Sequence, residues 1–249
     1  MPILHALINL CFPPACLLCH ARLAPTNPAC ALAGDTPAIC EPCAASMPRS
    51  GRPVCSRCGV TLPGAFDAVA LCADCRHRPP AFERARAPWQ YTGRTQDAIR
   101  QFKYHRRWRL GGWLATEMAW LAGSSFPIDE IALVLPVPLH WVKRRLKGFD
   151  PTESLATSIA QRLHIPQTSS ALRRTRWTTT QTRLSVDARF RIVRRAFRAE
   201  TRLVRERSVL LIDDVLTSGA TAHACALALK EAGARRVFVL TAARTPLAR

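Results

Sequence analysis

Ten of the eleven cysteines in this chain fall before residue 76, and eight of them form four C-x-x-C pairs: Cys16/Cys19, Cys40/Cys43, Cys55/Cys58 and Cys72/Cys75. Twenty residues separate the first two pairs and thirteen the last two, near the usual spacing of four-thiolate metal sites. Two cysteines three apart on a tight turn aim both sulfurs at one ion, and a second such turn completes the tetrahedron. Pro, Gly or Arg flanks each pair, as in Pro14-Ala-Cys16-Leu-Leu-Cys19 and Cys55-Ser-Arg-Cys58-Gly59. The segment also has too few large apolar residues for a core of its own. Structural zinc, which supplies roughly 10–16 kcal/mol of folding free energy in small domains, fills that gap.

Two closed zinc sites are therefore expected, the first pair with the second and the third with the fourth; an interleaved pairing stays open. Four thiolates leave no position for catalysis. A disulfide framework needs an oxidising compartment. The apolar stretch Met1–Leu10 lacks the basic leader and cleavage site of an export signal, so it reads as a short amphipathic helix and the protein as cytoplasmic. A thioredoxin-like motif needs one C-x-x-C in a strand–helix unit, not four in loops. Cys11 and Cys30 are left as free thiols, His20 and His77 as surface residues and Cys225 as a small core residue.

The formal charge of +19 is unevenly placed. Residues 1–80 hold six Arg against four acids, while residues 81–249 hold 30 Lys/Arg against 13 acids. Two zinc–thiolate centres, each at −2, bring the total to about +15. Such an excess in the second part favours phosphate-rich partners, nucleic acid or polyphosphate ligands. No apolar run approaches the length of a membrane span.

Arg76-His-Arg-Pro-Pro-Ala81 marks a boundary, giving a double zinc ribbon over 1–80 and a second domain over 81–249. Beyond it strands alternate with helices: strands over Arg86–Tyr91, Ile131–Val137, Ser208–Ile212 and Val237–Thr241, helices over Thr95–Phe102, Leu110–Leu121, Thr152–Leu163 and Thr221–Glu231. Short, continuously apolar strands separated by helices predict an α/β fold, a parallel sheet with helices on both faces.

The most informative unit is Val209-Leu-Leu-Ile-Asp-Asp-Val-Leu-Thr-Ser-Gly-Ala-Thr221. A buried strand runs into two acids, and a small-residue loop then opens a helix. In a parallel sheet the loop lies at a strand's carboxyl end, where ligands bind. Thr217, Ser218, Gly219, Ala220 and Thr221 offer backbone N–H groups and three hydroxyls at a helix N-terminus, a seat for a phosphate. Asp213 and Asp214 would repel that phosphate but suit vicinal hydroxyls, which a ribose 5-phosphate presents nearby. A Walker loop is excluded, since its G-x-x-x-x-G-K-[ST] is absent.

This unit resembles the phosphoribosyl-diphosphate (PRPP) signature of type I phosphoribosyltransferases. The chain as a whole resembles the ComF family, a double zinc ribbon joined to such a domain and associated with DNA uptake in competence. The likeness extends to Tyr91-Thr-Gly93…Ile99-Arg-Gln-Phe-Lys-Tyr104, Pro136-Val-Pro-Leu-His140, Arg144-Arg-Leu-Lys-Gly-Phe149 and Arg174-Thr-Arg…Gln181. It implies that Asp213 and Asp214 bind the ribose hydroxyls and Thr217–Thr221 the 5-phosphate. Pro138, Leu139 and His140 would approach the pyrophosphate, with Arg145 and Lys147 to neutralise it, and Arg173–Gln181 would belong to a hood. Mg²⁺ would accompany PRPP, held mostly by the ligand's oxygens and water. The chain departs from the family pattern at Lys147-Gly-Phe-Asp150, where Arg-Gly-Phe-Asn is usual. It departs also at Ile192, which replaces an Asn, and at Leu216-Thr-Ser-Gly219, where Thr-Thr-Gly is usual.

Two functions follow. In the first, the protein binds PRPP and handles single-stranded DNA, with the DNA-uptake machinery as partner. Twelve Arg and three acids lie between Arg173 and Arg207, with Trp177 among them, and arginine with aromatics is what a single-strand groove needs. Arg173, Trp177, Arg191 and Arg194 are the candidates. In the alternative, it is an active transferase that moves ribose 5-phosphate from PRPP to a base or amine; no residue declares itself the base.

Overall fold

The computed structural model describes residues 14–23, 38–64, 70–105, 107–139, 150–175 and 195–247. Two short helices, α1 (Glu41–Ala45) and α2 (Ala73–His77), each follow a cysteine of a C-x-x-C pair and carry the pair's second cysteine. Strands β1 (Arg84–Arg86) and β2 (Trp89–Gln90) come next, then helices α3 (Gly93–His105) and α4 (Trp108–Ser125) and strand β3 (Ile131–Pro136). Helix α5 (Pro151–Leu163), strands β4 (Leu172–Arg174) and β5 (Phe197–Ala199) and one turn of helix, α6 (Thr201–Val204), lead to β6 (Ser208–Leu216), α7 (Ala220–Glu231) and β7 (Arg236–Arg244).

The main sheet runs β1–β7–β6–β3 and is parallel throughout, with β2 pairing β7 farther along the same edge. Alternation along the central strands sorts the core into two layers. Val209, Leu211, Val237 and Val239 pack with Ala222, Cys225 and Leu229 of α7. Leu210, Ile212, Phe238 and Leu240 pack with Ile99 and Phe102 of α3, Leu114 and Met118 of α4 and Leu155 and Ile159 of α5. Both faces are thus covered, which is why these strands are apolar at successive positions. Helix α5 begins where the sequence tells it to: the Asp150 side chain accepts from the backbone N–H groups of Thr152 and Glu153, at 3.0 and 3.2 Å, and Pro151 takes the first turn. Asp150, which stands where the family pattern has Asn, thus caps α5, a role that either residue fills.

The cysteine-rich segment supplies no separate core. Cys16, Leu18, Cys43 and Met47 join the layer of α3, α4 and α5, whereas Cys55, Cys58, Val60, Cys72 and Cys75 join the layer of α7. The segment straddles the β1 edge, with one cysteine cluster against each face. Gly59 makes the second contact possible: at φ +69° it lies so close to β1 that a Cβ would stand 2.6 Å from the Ala85 carbonyl oxygen.

Helices over the expected segments start or end up to four residues from their predicted limits, the last strand ends at Arg244 instead of Thr241, and three further differences concern strands. The edge strand divides into β1 and β2. Strand β6 does not stop at Ile212 but runs on to Leu216, because β7 pairs with it as far as Arg244. The antiparallel pair β4–β5 was not foreseen. The expected N-terminal helix, Cys11 and Cys30 lie outside the described residues. No helix among the described residues is long and apolar enough to cross a membrane.

Candidate functional site

In each cysteine cluster the four sulfurs lie within 4.8 Å of one another, Cys16, Cys19, Cys40 and Cys43 in the first, Cys55, Cys58, Cys72 and Cys75 in the second. The pairing is sequential. Backbone N–H groups point at the sulfurs, Leu18 at Cys16, Cys72 at Cys55 and Cys75 at Cys72, each at 3.4 Å. Hydrogen bonds with the Cys58 and Cys75 thiols hold Cys55 far below the ordinary thiol range and raise its partner Cys75. Donor set, crowding and N–H···S support all fit a thiolate-loving metal ion with a closed shell.

The second site is built at the carboxyl end of β6. Because β6 continues past Ile212, Asp213 and Asp214 are consecutive strand residues, and alternation sends them to opposite faces. Asp214 turns to the α3 side, where Lys103 Nζ stands 2.7 Å from its Oδ2; the two side chains are 23% and 15% exposed. Burial works against the Lys103 cation, but the Asp214 carboxylate outweighs it and its pKa is raised. Asp213 turns to the α7 side and accepts the Asp214 backbone N–H at 2.8 Å. Burial, and then the Asp214 charge beside it, push Asp213 up to about 8.

Past β6, Thr217 is exposed, Ser218 and Gly219 are half-buried, and Ala220 begins α7. Gly219 occupies the cap at φ 78°, a left-handed conformation that L side chains rarely adopt. Ser218 Oγ accepts from the Ala220 N–H at 3.4 Å. The first turn, with Thr221 in it, leaves its N-terminal N–H groups at the carboxyl end of the sheet.

The loop is braced from behind by Arg244, the last residue of β7. Its Nη1 donates to the carbonyl oxygens of Leu216, at 3.0 Å, and of Thr217, and its Nε to that of Cys58 at 3.3 Å. Sequence reasoning assigned no role to Arg244 or Lys103. Lys103 carried a weak signal as one of four lysines in an arginine-rich chain, inside a stretch that matched the family. Arg244 carried none.

Pro138 and Leu139 follow β3 and line a cavity of about 600 Å³ with Asp150, Glu153, Arg173 and Arg202. His140, Arg145 and Lys147 lie outside the described residues, as do Trp177, Arg191 and Arg194. Arg173 is placed on β4, 3.6 Å from Glu200, with its side chain 72% exposed. Sequence reasoning also missed a groove of about 750 Å³ between the second cysteine cluster's segment and the end of α4. Arg49, Arg52, Arg84 and Arg86 line it with no acid among the lining residues, and Trp120 stands at its rim, 76% exposed. Backbone carbonyls fix two of these guanidiniums: Arg84 donates to Ser125 at 2.7 Å, and Arg86 to Ser56 at 3.2 Å.

No family model matches the chain. Among curated proteins it is 30% identical over 214 residues to DNA utilization protein YhgH of Escherichia coli K12, covering 83% of this chain and 90% of that protein. The Salmonella typhimurium protein of the same name is 31% identical over 211 residues, with the same coverage. Competence protein F of Haemophilus influenzae is 24% identical over 197 residues, covering 77% of this chain and 85% of the other. Two solved structures overlap the chain in part. One is the allosteric regulatory enzyme of purine biosynthesis (25% identity, TM-score 0.38, 53% of this chain, 26% of the other). The second is glutamine PRPP amidotransferase from B. subtilis (24% identity, TM-score 0.39, 57% of this chain, 30% of the other). Sheet order and helix placement within the chain itself give the α/β fold preceded by cysteine clusters that the motifs predicted. With two four-cysteine clusters beside that sheet, and relatives matched over most of both chains, the protein belongs to the family of DNA utilization protein YhgH and competence protein F, the ComF family.

Proposed function

We propose that this protein binds PRPP, or a closely related ribose 5-phosphate, at the carboxyl end of its sheet and handles single-stranded DNA during DNA uptake. One observation carries the first half: two adjacent acids lie near the carboxyl end of a buried parallel strand, and the N-cap of α7 follows Asp214 after four residues. The acids suit the ribose hydroxyls, and the Thr217–Thr221 turn suits the 5-phosphate. Pro138 and Leu139, with His140, Arg145 and Lys147 beyond them, are assigned to the pyrophosphate side, and Mg²⁺ accompanies the ligand. The cysteine clusters hold two structural zinc ions, in a segment assigned to residues 1–80 and docked on the 81–249 domain. A cytoplasmic setting keeps such thiols reduced.

The names of the relatives, DNA utilization and competence, support the second half. So do the basic Arg173–Arg207 stretch and the groove rimmed by Trp120, where arginines meet phosphates and an exposed indole meets a base. The sugar site is tested with a pair of sugars. Ribose 5-phosphate should bind measurably and 2-deoxyribose 5-phosphate at least tenfold more weakly, because charge-assisted hydrogen bonds are worth roughly 1.5–3 kcal/mol. Equal binding of the two would remove the carboxylates from the site. Turnover of PRPP with a base or amine acceptor would establish the transferase alternative.

A further inference from the structure

Arg244 touches both centres at once. Besides the carbonyls of Leu216 and Thr217 in the phosphate loop, it reaches the Cys58 carbonyl at 3.3 Å and, through Nη2, the Cys58 sulfur at 3.8 Å. A further bond to the Thr245 carbonyl at 3.0 Å, and the Thr245 N–H on the Leu216 carbonyl at 3.0 Å, fix the end of β7 against the loop. We infer that Arg244 is a positioning residue that couples a metal ion in the second cysteine cluster to the phosphate loop, so that metal and phosphate ligand each strengthen the hold on the other. The inference rests on the sugar-phosphate reading of the loop.

Three features carry it. First, a guanidinium is planar with five donors in a fixed fork, so one side chain holds loop carbonyls and a cysteine together, and neither can shift without the other. A metal-bound thiolate is a stronger acceptor than a thiol, and hydrogen bonds of this kind orient metal ligands. Second, the Cys55–Cys58 turn is itself fixed to the sheet edge. The Ala85 N–H donates to Arg57 at 2.6 Å, Arg57 donates to Phe82 and Glu83, and Arg86 donates to Cys55 and Ser56. Motion of the metal turn is therefore passed on rather than absorbed. Third, a cavity of about 290 Å³ lies between the two centres, lined by Cys58, Cys75, Phe82, Ser218, Gly219 and Arg244. Arg244 spans the edge of that space, from the Cys58 carbonyl to the loop carbonyls.

The molecule contains its own control. The first cluster packs in the layer on the other face of the sheet, and its turn is braced by Arg107, which donates to the Leu17 carbonyl at 2.6 Å. Coupling through Arg244 leaves that cluster out.

The test uses the full, zinc-loaded chain, N-ethylmaleimide, and mass spectrometry of the cysteine peptides, which reads each cluster separately. Thiolates react as their metal site opens. PRPP with Mg²⁺ should slow alkylation of Cys55, Cys58, Cys72 and Cys75 on the order of five- to tenfold, the low end of ordinary coupling, and leave Cys16, Cys19, Cys40 and Cys43 unchanged. Arg244→Lys keeps the charge but loses the fork. It should abolish the protection and weaken PRPP binding, because the loop loses the fork that braces it. PRPP that binds by calorimetry yet protects both clusters alike, or neither, overturns the coupling alone. Protection that survives in Arg244→Lys overturns the role of Arg244. If PRPP does not bind the wild type, the sugar-phosphate reading falls and the coupling falls with it. The comparison between clusters in the wild type stands whether or not the variant folds.

Discussion

Replacing Lys103 by Met keeps most of the stem's volume and removes only the cation that stands 2.7 Å from Asp214. Removing one partner of a buried ion pair costs about 3–5 kcal/mol, because the other charge is left without compensation. An exposed pair is worth at most about 1 kcal/mol. With side chains 23% and 15% exposed, this pair lies nearer the buried limit, so a loss of about 2–3 kcal/mol is expected. The second acid adds a pH signature. Asp213 is already raised to about 8 by burial and by Asp214, and without the Lys103 charge that draws it down it retains its proton still more tightly. A carboxyl whose folded pKa is raised contributes stability at low pH and loses it as pH climbs through that folded value. The deficit of Lys103→Met should therefore be largest near about pH 9 and narrow towards about pH 6. Urea unfolding followed by circular dichroism, with zinc present throughout, measures both. Adding Asp214→Asn should return about 2 kcal/mol, since the stranded charge is then gone. Lys103→Met within about 0.5 kcal/mol of wild type, or two substitutions that simply add, would mean that Lys103 does not compensate Asp214.

Other outcomes follow from the same geometry. Gly59→Ala should cost about 1–2 kcal/mol for its left-handed backbone alone, and more for a Cβ 2.6 Å from the Ala85 carbonyl; normal thermal stability would mean that the second cluster is not docked on β1. Elemental analysis should find two zinc ions per folded chain, and fewer than one would mean that the cysteine clusters fold without metal. With a labelled single-stranded oligonucleotide, Trp120→Ala should weaken binding by roughly 1–3 kcal/mol with little change in salt dependence. Arg52→Ala should instead lower the slope of log affinity against log salt by about 0.7. Anisotropy at rising salt separates them, and absence of binding at low salt would end the DNA reading.

Local signals made much of this legible in advance. The four C-x-x-C pairs gave both clusters in the right order, because a metal knuckle is encoded within four residues. Leu210, Leu211 and Ile212 announced a strand covered on both faces, and the two acids with Thr217–Thr221 marked its carboxyl end. What escaped was non-local. Strand β6 runs beyond Ile212 because β7 is there to pair with it, which the residues of β6 do not encode. Strands β4 and β5 are three residues each, with Arg-rich chain between them and no hydrophobic period to read. Lys103 meets Asp214, and Arg244 meets Thr217, Leu216 and Cys58, only through the folding of distant segments, so nothing beside either residue in the sequence pointed to its role. The placement of the clusters on opposite faces of the sheet was equally invisible, since their apolar residues complete a core supplied by the rest of the chain.

Calorimetric titration with PRPP and Mg²⁺ asks whether the two acids and the helix N-terminus form one sugar-phosphate site. The wild type should bind, and Asp213→Asn with Asp214→Asn should lower the affinity at least about tenfold while inorganic phosphate still competes for the loop, since charge-assisted hydrogen bonds are worth roughly 1.5–3 kcal/mol each. Undiminished affinity in the double variant would mean that Asp213 and Asp214 are no more than the end of a strand.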